Sequence, residues 1–395
     1  MKTIRDVDFL RKKTLVRVDF NISVSSDYQI NSSNDWRIRA VLPTIKYLLS
    51  KKAKIILMSH LETIILKDGY GTQHKTLSLA PIAGYLGELL KKKVDFSHQC
   101  IGKLVKKQIE RLAPSEVLLL ENLRFYPGEK ENDLLFAREL ADLAEIYVND
   151  AFGVCHRRHA SIVSLPKYIP TVVGFLIEKE LSVLNNLLSQ PSRPLTVVIG
   201  GAKISTKLPF LRKFLNFADN ILIGGALANN LLASQGICVA RSLIEKKIVK
   251  QLKKISLTSP KLHLPVDVVV SESSKGDKDS RIRPVGKIGS KEMILDIGPD
   301  TIVLFKNVLE ESRTIIWNGP MGLDQVPKFS LGTQRIVQAI INSSAYKVAG
   351  GGDTANYLSR NHLLNKFDHV STGGGAMLDF LTDGSLPGLE ILSEK

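Results

Sequence analysis

Short apolar runs recur along the chain, and each is followed by polar or glycine residues and then by a helical pattern. The runs cover residues 15–20, 54–58, 117–120, 146–148, 196–199, 221–223, 266–270, 314–317 and 346–349, with a weaker one at 369–371. Helical patterns lie between them, for example at 38–50, 79–91, 136–144 and 175–188. Continuous apolar runs are typical of strands that are buried on both faces. The pattern therefore predicts an α/β fold with parallel sheets that carry helices on both faces.

The longest helical pattern marks a junction between two domains. Residues 175–188 read FLIEKELSVLNNLL and are followed by SQPSRP, in which two prolines end the helix before the next strand. A chain of 395 residues is also too long for one ordinary hydrophobic core. We therefore expect two α/β domains that are joined by this helix.

The composition is ordinary for a globular protein, but the charge is not. Hydrophobic residues make up 44% and charged residues 24%, which excludes a disordered or collagen-like chain. The net charge of +15 is compatible with binding to nucleic acid, a membrane surface or phosphorylated small molecules, and equally with a surplus on solvated helix faces. The densest basic runs, at 11–13, 51–54, 91–93 and 246–254, lack the interleaved aromatic residues of a single-strand binding groove.

The cysteines and the apolar stretches bear on the compartment. Cys100, Cys155 and Cys238 fit neither a disulfide framework nor a zinc cage, which favours a reducing compartment. The first residues, MKTIRDVDFLRKK, lack the apolar region of a secretory signal, and no apolar stretch approaches the length of a membrane span. We therefore expect a cytoplasmic protein.

Ionisable and polar residues follow the strands of the first half, at the strand ends where open parallel sheets bind ligands. These residues are Asp19, Asn21, Ser59, His60, Glu121, Asn122, Arg124, Asn149, Asp150, His156, Arg157 and His159, and Arg37 and Arg39 begin the helix after the first strand. Any one of them is more often solvated or structural than functional. Several arginines at one sheet edge, however, indicate a small phosphorylated or carboxylated ligand, because a guanidinium group binds such anions bidentately.

Glycines follow the strands of the second half. They form four clusters, which include Gly201, Gly224, Gly225, Gly351, Gly352, Gly373, Gly374 and Gly375. Glycine lets the backbone approach a phosphate closely, and helix amino termini just beyond present N–H groups to the anion. One pair would be only a tight turn, whereas four clusters predict a phosphate cradle. The chain contains neither G-x-x-x-x-G-K-[ST] nor G-x-G-x-x-G.

Three charged residues beside these glycines are candidates for phosphate chemistry. Lys203 and Lys207 are four residues apart where a helix should begin, so they share one helix face. They either neutralise a transferring phosphoryl group or form an ordinary solvated pair. Asp353 follows three glycines and is a candidate magnesium ligand, a helix N-cap, or both.

Taken together, these strings resemble phosphoglycerate kinases. The matching segments in the first half are LVRVDFN at 15–21, RIRAVLPTIKYLL at 37–49, LLLENLRFYPGE at 118–129 and VNDAFGVCHRRHAS at 148–161. Further matches are GFLIEKEL at 174–181, IGGAKIS at 199–205, LPVDVVV at 264–270, LDIGP at 295–299, WNGPMG at 317–322, GGGDTA at 350–355 and STGGGA at 371–376. Their order and spacing hold from about residue 15 to 389, which is nearly the whole chain.

The resemblance implies two Rossmann-like domains separated by a cleft, and a reversible transfer between ATP with 3-phosphoglycerate and ADP with 1,3-bisphosphoglycerate. It implies a substrate domain at 1–172, a hinge and interdomain helix at 173–190, a nucleotide domain at 191–381 and a segment at 382–395 that returns to the first domain. The implied cofactor is Mg²⁺ with ATP or ADP. The partners would be these small molecules, without a membrane or a primary role for nucleic acid, and the chain would be a monomer.

The resemblance also implies roles for individual residues. The residues that would bind the acid substrate are Asp19, Asn21, Arg37, His60, Arg124 and Arg157. The implied catalytic cations are Arg37, Lys203 and Lys207. Together with the glycine clusters, it places the nucleotide on Gly201, Lys203, Lys207, Gly224, Gly225, Gly298, Asn318, Pro320, Gln325, Gly351, Gly352, Asp353 and Thr354. Asp353 would hold the metal, and Gly373, Gly374 and Gly375 would form a further anion cradle.

The chain departs from the family pattern at Ser23, where a proline is usual, at Thr206, where an aspartate is expected, and at two further places. The family reads H-L-G-R-P after its second strand, whereas here His60 is followed by Leu61, Glu62 and Thr63. This change removes an arginine and adds a carboxylate. We expect it to weaken the binding of the acid substrate by about 1.5–3 kcal/mol. Gln325 replaces a glutamate that contacts the ribose, and it still accepts a hydrogen bond through its carbonyl oxygen.

Three functions therefore compete. Retention of Arg37, Lys203, Lys207 and Asp353 favours an active phosphoglycerate kinase. The change at Glu62 and Thr63 motivates a degenerate nucleotide-binding or scaffold protein with a weakened substrate site. The +15 charge motivates a nucleic-acid-binding protein, although the chain has no recognised nucleic-acid module.

Overall fold

The chain folds into two compact units. The computed structural model describes residues 1–22, 30, 34–62, 64–68, 71–75, 77–202, 204–252 and 259–393, with the backbone alone at 64–68, 71–75 and 393. Unit 1 is Met1–Asn185 with Asp383–Lys395, and unit 2 is Asn186–Thr382. Each unit contains a six-stranded parallel sheet, so the predicted α/β fold is confirmed.

Unit 1 is built on a sheet in the order β5-β6-β2-β1-β7-β8, in which every neighbouring pair is parallel. Its strands are β1 (Lys13–Arg17), β2 (Lys54–Met58), β5 (Val94–Phe96), β6 (Val117–Leu119), β7 (Ile146–Asn149) and β8 (Thr171–Val173), and a hairpin is formed by β3 (Ile64–Asp68) and β4 (Gly71–Lys75). The helices are α1 (Trp36–Ser50), α2 (Ala80–Leu90), α3 (Lys103–Glu110), α4 (Pro127–Lys130), α5 (Leu134–Ala141) and α6 (Phe175–Ser189). A π-helix spans Ala160–Ser164.

Both faces of this sheet are buried, because successive residues of each strand point to opposite sides. Val16 and Leu57 belong to one hydrophobic core, together with residues of α1 and α2. Their neighbours Leu15 and Ile56 belong to a second core, together with residues of α3 and α5. This explains why the strands read as continuous apolar runs.

Unit 2 contains a sheet in the order β11-β10-β9-β15-β16-β17. Its strands are β9 (Leu195–Ile199), β10 (Asn220–Ile223), β11 (Leu262–His263), β15 (Thr314–Asn318), β16 (Tyr346–Gly350) and β17 (His369–Ser371). The helices are α7 (Ile204–Phe217), α8 (Gly225–Ser234), α9 (Lys246–Leu252), α10 (Pro299–Glu311), α11 (Leu331–Asn342), α12 (Gly352–Arg360) and α13 (Gly374–Asp383). The strand order reverses between β9 and β15, and a crevice for ligands is expected where such a reversal occurs.

One apolar run does not join a parallel sheet, so that expectation was wrong. Residues 266–270 correspond to β12 (Asp267–Ser271), which lies between β13 (Ser280–Pro284) and β14 (Met293–Ile297) in an antiparallel sheet. Val268 and Val270 are buried in a small core of their own, whereas Val269 is half-buried. An apolar run can belong to a strand that is buried on one face or to a strand that is buried on both. Composition alone therefore does not distinguish these two kinds of strand.

The end of the chain packs on unit 1. The last helix, α14 (Pro387–Ser393), begins beside the segment that precedes the π-helix. The N–H group of Gly388 donates to the carbonyl oxygen of Cys155 at 2.9 Å. A Cβ atom at position 388 would lie 2.5 Å from Cγ2 of Ile162, so this contact requires glycine. Among all the helices of the described ranges, none is long and apolar enough to cross a membrane.

Asp150 anchors the helix at which the two units divide. It is fully buried after β7, and its Oδ1 accepts hydrogen bonds from the N–H groups of Leu176 and Ile177 at 2.9 and 3.2 Å. A Cβ atom at Gly174 would lie 2.3 Å from the Asp150 carboxyl carbon, so only glycine allows this approach. Burial raises the pKa of Asp150 to about 7, although the two N–H donors oppose the shift. Asp150 is thus a structural cap of α6.

Replacing Asp150 with asparagine should remove a pH dependence of stability. A carboxyl whose folded pKa is raised stabilises the fold when protonated, and this contribution is lost as pH rises from about 4 through 7. The Asp150→Asn variant should therefore gain stability relative to the native protein between pH 5 and pH 8, by about 2–3 kcal/mol. Urea unfolding of both proteins at each pH measures the difference. Asp142→Asn, at an exposed position, is the control, and a pH-independent difference at Asp150 would contradict the prediction.

Candidate active site

Polar residues from three strand ends and one helix meet at the carboxyl edge of the unit 1 sheet. Asp19 follows β1, His60 follows β2, Arg124 follows β6 and Arg37 lies at the start of α1. Nη1 of Arg37 lies 3.7 Å from Oδ2 of Asp19 and donates to the backbone oxygen of Asn21. The predicted convergence of these residues at one sheet edge is therefore present in the structure.

Arg37 and Arg124 each hold an unsatisfied donor. Their side chains are only 14% and 4% exposed, and neither Nε has a hydrogen-bond partner among the described residues. Buried guanidinium groups normally have all donors paired, because an unpaired one costs free energy. Two such donors at one sheet edge indicate that an anion completes the site.

Glu62 places a carboxylate on part of this edge. Its Oε1 lies 2.7 Å from Nη2 of Arg124 and 3.7 Å from Nε2 of His60. Its own N–H group donates to Oδ1 of Asn21 at 3.0 Å. The side chain is 51% exposed, so half of it remains in contact with solvent. The neighbouring departure, Thr63, lies outside the described residues.

The histidines of this edge are uncharged at neutral pH. Burial, followed by the positive charges of Arg124 and Arg17, lowers the pKa of His159 to about 3. Burial, followed by the positive charge of Arg157, lowers the pKa of His156 to about 4. Burial also holds the pKa of His60 well below its ordinary value, with Arg17 and Arg124 as the next causes. Arg157 itself is exposed beside the two histidines. The positive charge of the site therefore comes from arginines.

A buried polar cluster beneath this edge was not predicted from the sequence. Arg17, Glu129 and Ser161 are all fully buried, and Ser161 Oγ joins the other two by hydrogen bonds of 3.1 and 2.7 Å. The available signal was an arginine within the otherwise apolar run LVRVDF, since arginine is rarely buried without partners.

In unit 2, glycine loops from three strands meet at the crevice between β9 and β15. The N–H groups of Gly201 and Gly225 donate to the carbonyl oxygens of Pro320 and Met321, each at 2.7 Å. Gly225 has a φ of +58°, and a Cβ atom there would lie 2.4 Å from the nitrogen of Gly201. Glycine is required because the two loops touch backbone to backbone. Gly224, the residue before, packs against the side chain of Met321.

Lys207 is not part of an ordinary solvated pair. It lies on α7, is only 7% exposed, and its Nζ donates to the carbonyl oxygens of Gly200 and Asn318, the latter at 3.4 Å. Its ammonium group is therefore held at the crevice. Lys203, the second lysine of the predicted pair, lies outside the described residues.

Three further predicted segments pack together beside this crevice. Thr354 Oγ1 accepts a hydrogen bond from the N–H group of Gly319 at 2.7 Å, and Nδ2 of Asn318 donates to the carbonyl oxygen of Gly350 at 2.9 Å. A Cβ atom at Gly374 would lie 2.2 Å from Cα of Gly351, so the loops after β16 and β17 are also in backbone contact. The segments 318–320, 350–354 and 373–375 thus form one continuous surface.

A cavity of about 160 Å³ opens beside these loops. Among the predicted nucleotide residues, its lining includes Gly201, Gly225, Pro320, Gln325 and Asp353. Its other walls are largely apolar and include Leu243, Pro265, Ile294 and Leu295. Gly298 lies apart from this lining, at the start of α10, where its N–H group donates to the carbonyl oxygen of Asp267.

The surroundings of Asp353 fit a magnesium ion that is carried by a nucleotide. Asp353 lies exposed in the first turn of α12, whose N-cap is Gly351 without a side-chain hydrogen bond, so the N-cap interpretation was wrong. Within the described ranges, no group of three or more His, Cys, Asp or Glu residues could hold a metal alone. Mg²⁺ commonly binds one or two carboxylates and takes its remaining ligands from phosphates and water.

Comparison with known proteins gives one consistent family. The model of the family described as phosphoglycerate kinase matches residues 4–384. The phosphoglycerate kinases of Desulfosudis oleivorans and Aquifex aeolicus are each 42% identical to the chain, over 99% and 100% of it and 98% of their own lengths. The solved phosphoglycerate kinase of Pyrococcus horikoshii is 31% identical, with a TM-score of 0.86 over 100% of this chain and 98% of its own. That of Coxiella burnetii is 32% identical, with a TM-score of 0.81 over 99% and 98%.

His156 and His159 should stay unprotonated from pH 8 to pH 5, because burial and Arg157 lower the pKa of each ring to about 4 and 3. ¹⁵N spectra of histidine-labelled protein measure this, with the exposed His98 as an internal reference. Unfolded histidines bind protons below about pH 6.5, so unit 1 should also lose stability as pH falls from 6.5 towards 4. A titration of either ring near pH 6.5 would show the prediction to be wrong.

Proposed function

The chain belongs to the phosphoglycerate kinase family, and from that premise we propose that unit 1 holds the acid substrate and unit 2 the nucleotide. It is a phosphotransferase with a carboxyl acceptor, and the reaction is the reversible transfer between ATP with 3-phosphoglycerate and ADP with 1,3-bisphosphoglycerate. The comparisons support this function and not the degenerate scaffold.

The division of the two substrates rests on the chemistry of the two sheet edges. At the unit 1 edge, Arg37 and Arg124 retain buried donors without partners, which suits a ligand with a phosphate and a carboxylate. His60 and Arg157 lie at the same edge and complete the proposed acid-binding group. Asp19 and Asn21 would accept hydrogen bonds from a hydroxyl group of the substrate. The paired unsatisfied guanidinium donors are the observation that carries this proposal.

The unit 2 crevice suits a nucleotide. Its glycine loops let backbone N–H groups approach phosphates, and Lys207 supplies a buried positive charge. The apolar walls around Leu243 and Ile294 offer space for a base, with Gln325 at the rim for the ribose. Asp353 would hold Mg²⁺ against the phosphates, and the ion when bound neutralises charge on them.

The proposed mechanism is a direct in-line transfer without a covalent protein intermediate. Arg37, Lys203 and Lys207 would stabilise the charge on the transferring phosphoryl group, so catalysis consists of positioning and electrostatics. We propose that a hinge at 173–175 closes to align the substrates and exclude water. Asp150 would keep the first turn of α6 fixed during this motion. We also expect a cytoplasmic monomer.

A coupled assay with ATP, Mg²⁺ and 3-phosphoglycerate should show turnover by the native protein. Lys203→Ala should lose most of it, because one preorganised cation contributes about 3–4 kcal/mol, or a few hundredfold in rate. Lys213→Ala, on helix α7, is the control and should keep turnover. Absence of turnover at millimolar substrate in the native protein would refute the proposed function.

Removing the charge of Glu62 should strengthen the binding of the acid substrate. Glu62→Gln keeps the size of the side chain but frees Nη2 of Arg124. We expect the KM for 3-phosphoglycerate to fall about two- to fivefold. The effect is small because a half-exposed ion pair contributes little binding free energy. Thr63→Arg should lower this KM further, by roughly ten- to a hundredfold. The KM for ATP is the internal control for both variants. An unchanged or raised KM for the acid in Glu62→Gln would contradict this interpretation.

A further inference from the structure

Arg17 is a buried arginine that contacts a residue of the proposed anion site. It is the last residue of β1 and is fully buried. Its Nε donates to Ser161 Oγ at 3.1 Å, its Nη1 donates to the backbone oxygen of Val18, and its Nη2 lies 3.2 Å from Nδ1 of His60. These three contacts fix the plane of the guanidinium group.

Ser161 and Glu129 hold the other end of this group. Ser161 Oγ donates to Oε1 of Glu129 at 2.7 Å, and the Ser161 N–H group donates to Oε2 at 2.9 Å. Glu129 is fully buried, and its charge compensates that of Arg17. A buried charge is tolerated when it is paired and hydrogen-bonded in this way. Glu129, Ser161, Arg17 and His60 form a continuous buried chain, which we call the Arg17 relay.

The contact with Arg17 determines the tautomer of His60. A guanidinium group has only donors, so Nδ1 of His60 must accept and cannot carry a proton. The neutral ring therefore carries its proton on Nε2. Nε2 faces Oε1 of Glu62 at 3.7 Å, which is the carboxylate that lies on Arg124.

We propose that Arg17 is a positioning residue, which holds His60 as the neutral Nε2–H tautomer so that this ring gives the acid substrate a hydrogen-bond donor and not a charge. The proposal rests on the proposed function, in which the unit 1 edge binds the acid substrate. Arg17 has no exposed atoms for a direct contact with substrate, so it acts through His60.

The charges around His60 support a neutral ring. Three arginines, Arg17, Arg124 and Arg37, oppose its protonation, and so does His159. Two carboxylates, those of Asp19 and Glu62, lie within 4 Å of the ring. Burial is the main cause that lowers the pKa of His60, and Arg17 is the next. Loss of Arg17 would therefore remove both the partner that fixes the tautomer and a charge that opposes protonation.

The test measures ¹⁵N shifts of the His60 ring without substrate, and the KM for each substrate. The native ring should be protonated on Nε2 alone. In Arg17→Met the two tautomers should mix and the ring should take up a proton at higher pH. The KM for 3-phosphoglycerate should rise about tenfold, the size of one hydrogen bond to a charged group, while the KM for ATP stays unchanged. An unchanged tautomer in this folded variant would overturn the proposal.

Variants at Ser161 keep the test decisive if Arg17→Met does not fold. Ser161→Ala removes the acceptor of Arg17 Nε and should shift the His60 tautomer in the same direction as Arg17→Met. Ser161→Thr keeps the hydroxyl group and should show the same His60 spectrum as the native protein. Tyr147→Phe is the matched control, because it removes a buried hydrogen bond to the Ser161 backbone oxygen and leaves the relay intact.

The outcomes separate this proposal from the proposed function. A native His60 protonated on Nδ1, or a Tyr147→Phe variant that shifts the tautomer as much as Ser161→Ala, would overturn the role of Arg17 even if 3-phosphoglycerate binds. Failure of the native protein to bind 3-phosphoglycerate in calorimetry would instead refute the proposed function.

Discussion

In a parallel sheet every strand delivers its carboxyl end to the same edge, and both units of this protein place their candidate chemistry there. Unit 1 uses this edge to gather side chains from the ends of β1, β2 and β6. Unit 2 uses it to bring backbone into contact with backbone, as at Gly201 and Gly225. One geometric rule thus yields a surface of arginines in one unit and a surface of peptide groups in the other.

The electrostatics of unit 1 follow from burial. Imidazole groups lose their charge when they are removed from water beside arginines, whereas guanidinium groups keep theirs. The result is an edge whose charge is insensitive to pH across the physiological range. Glu62 adds a negative charge beside Arg124 from a half-exposed position.

The sequence predicts most of the fold because the central strands of both parallel sheets leave apolar runs, whereas the edge strands β5, β8 and β11 were not predicted. It fails at β12, where the same kind of run packs only one face in an antiparallel sheet. The strand-end rule predicted that Arg37 and Arg124 lie near one sheet edge, but it does not distinguish residues that face a ligand from those that hold the backbone. Asp150 is an example, because its carboxyl group caps α6. The Arg17 relay could not be read from the sequence, since its members are 32 to 144 residues apart and meet only through tertiary packing.

Helix α6 has a mechanical consequence. Its 15 residues begin beside Asp150, and the division between the units falls near its far end, between Asn185 and Asn186. At 1.5 Å per residue the helix is about 22 Å long. The cap at Asp150 and the division between the units therefore lie near opposite ends of a single continuous helix of this length.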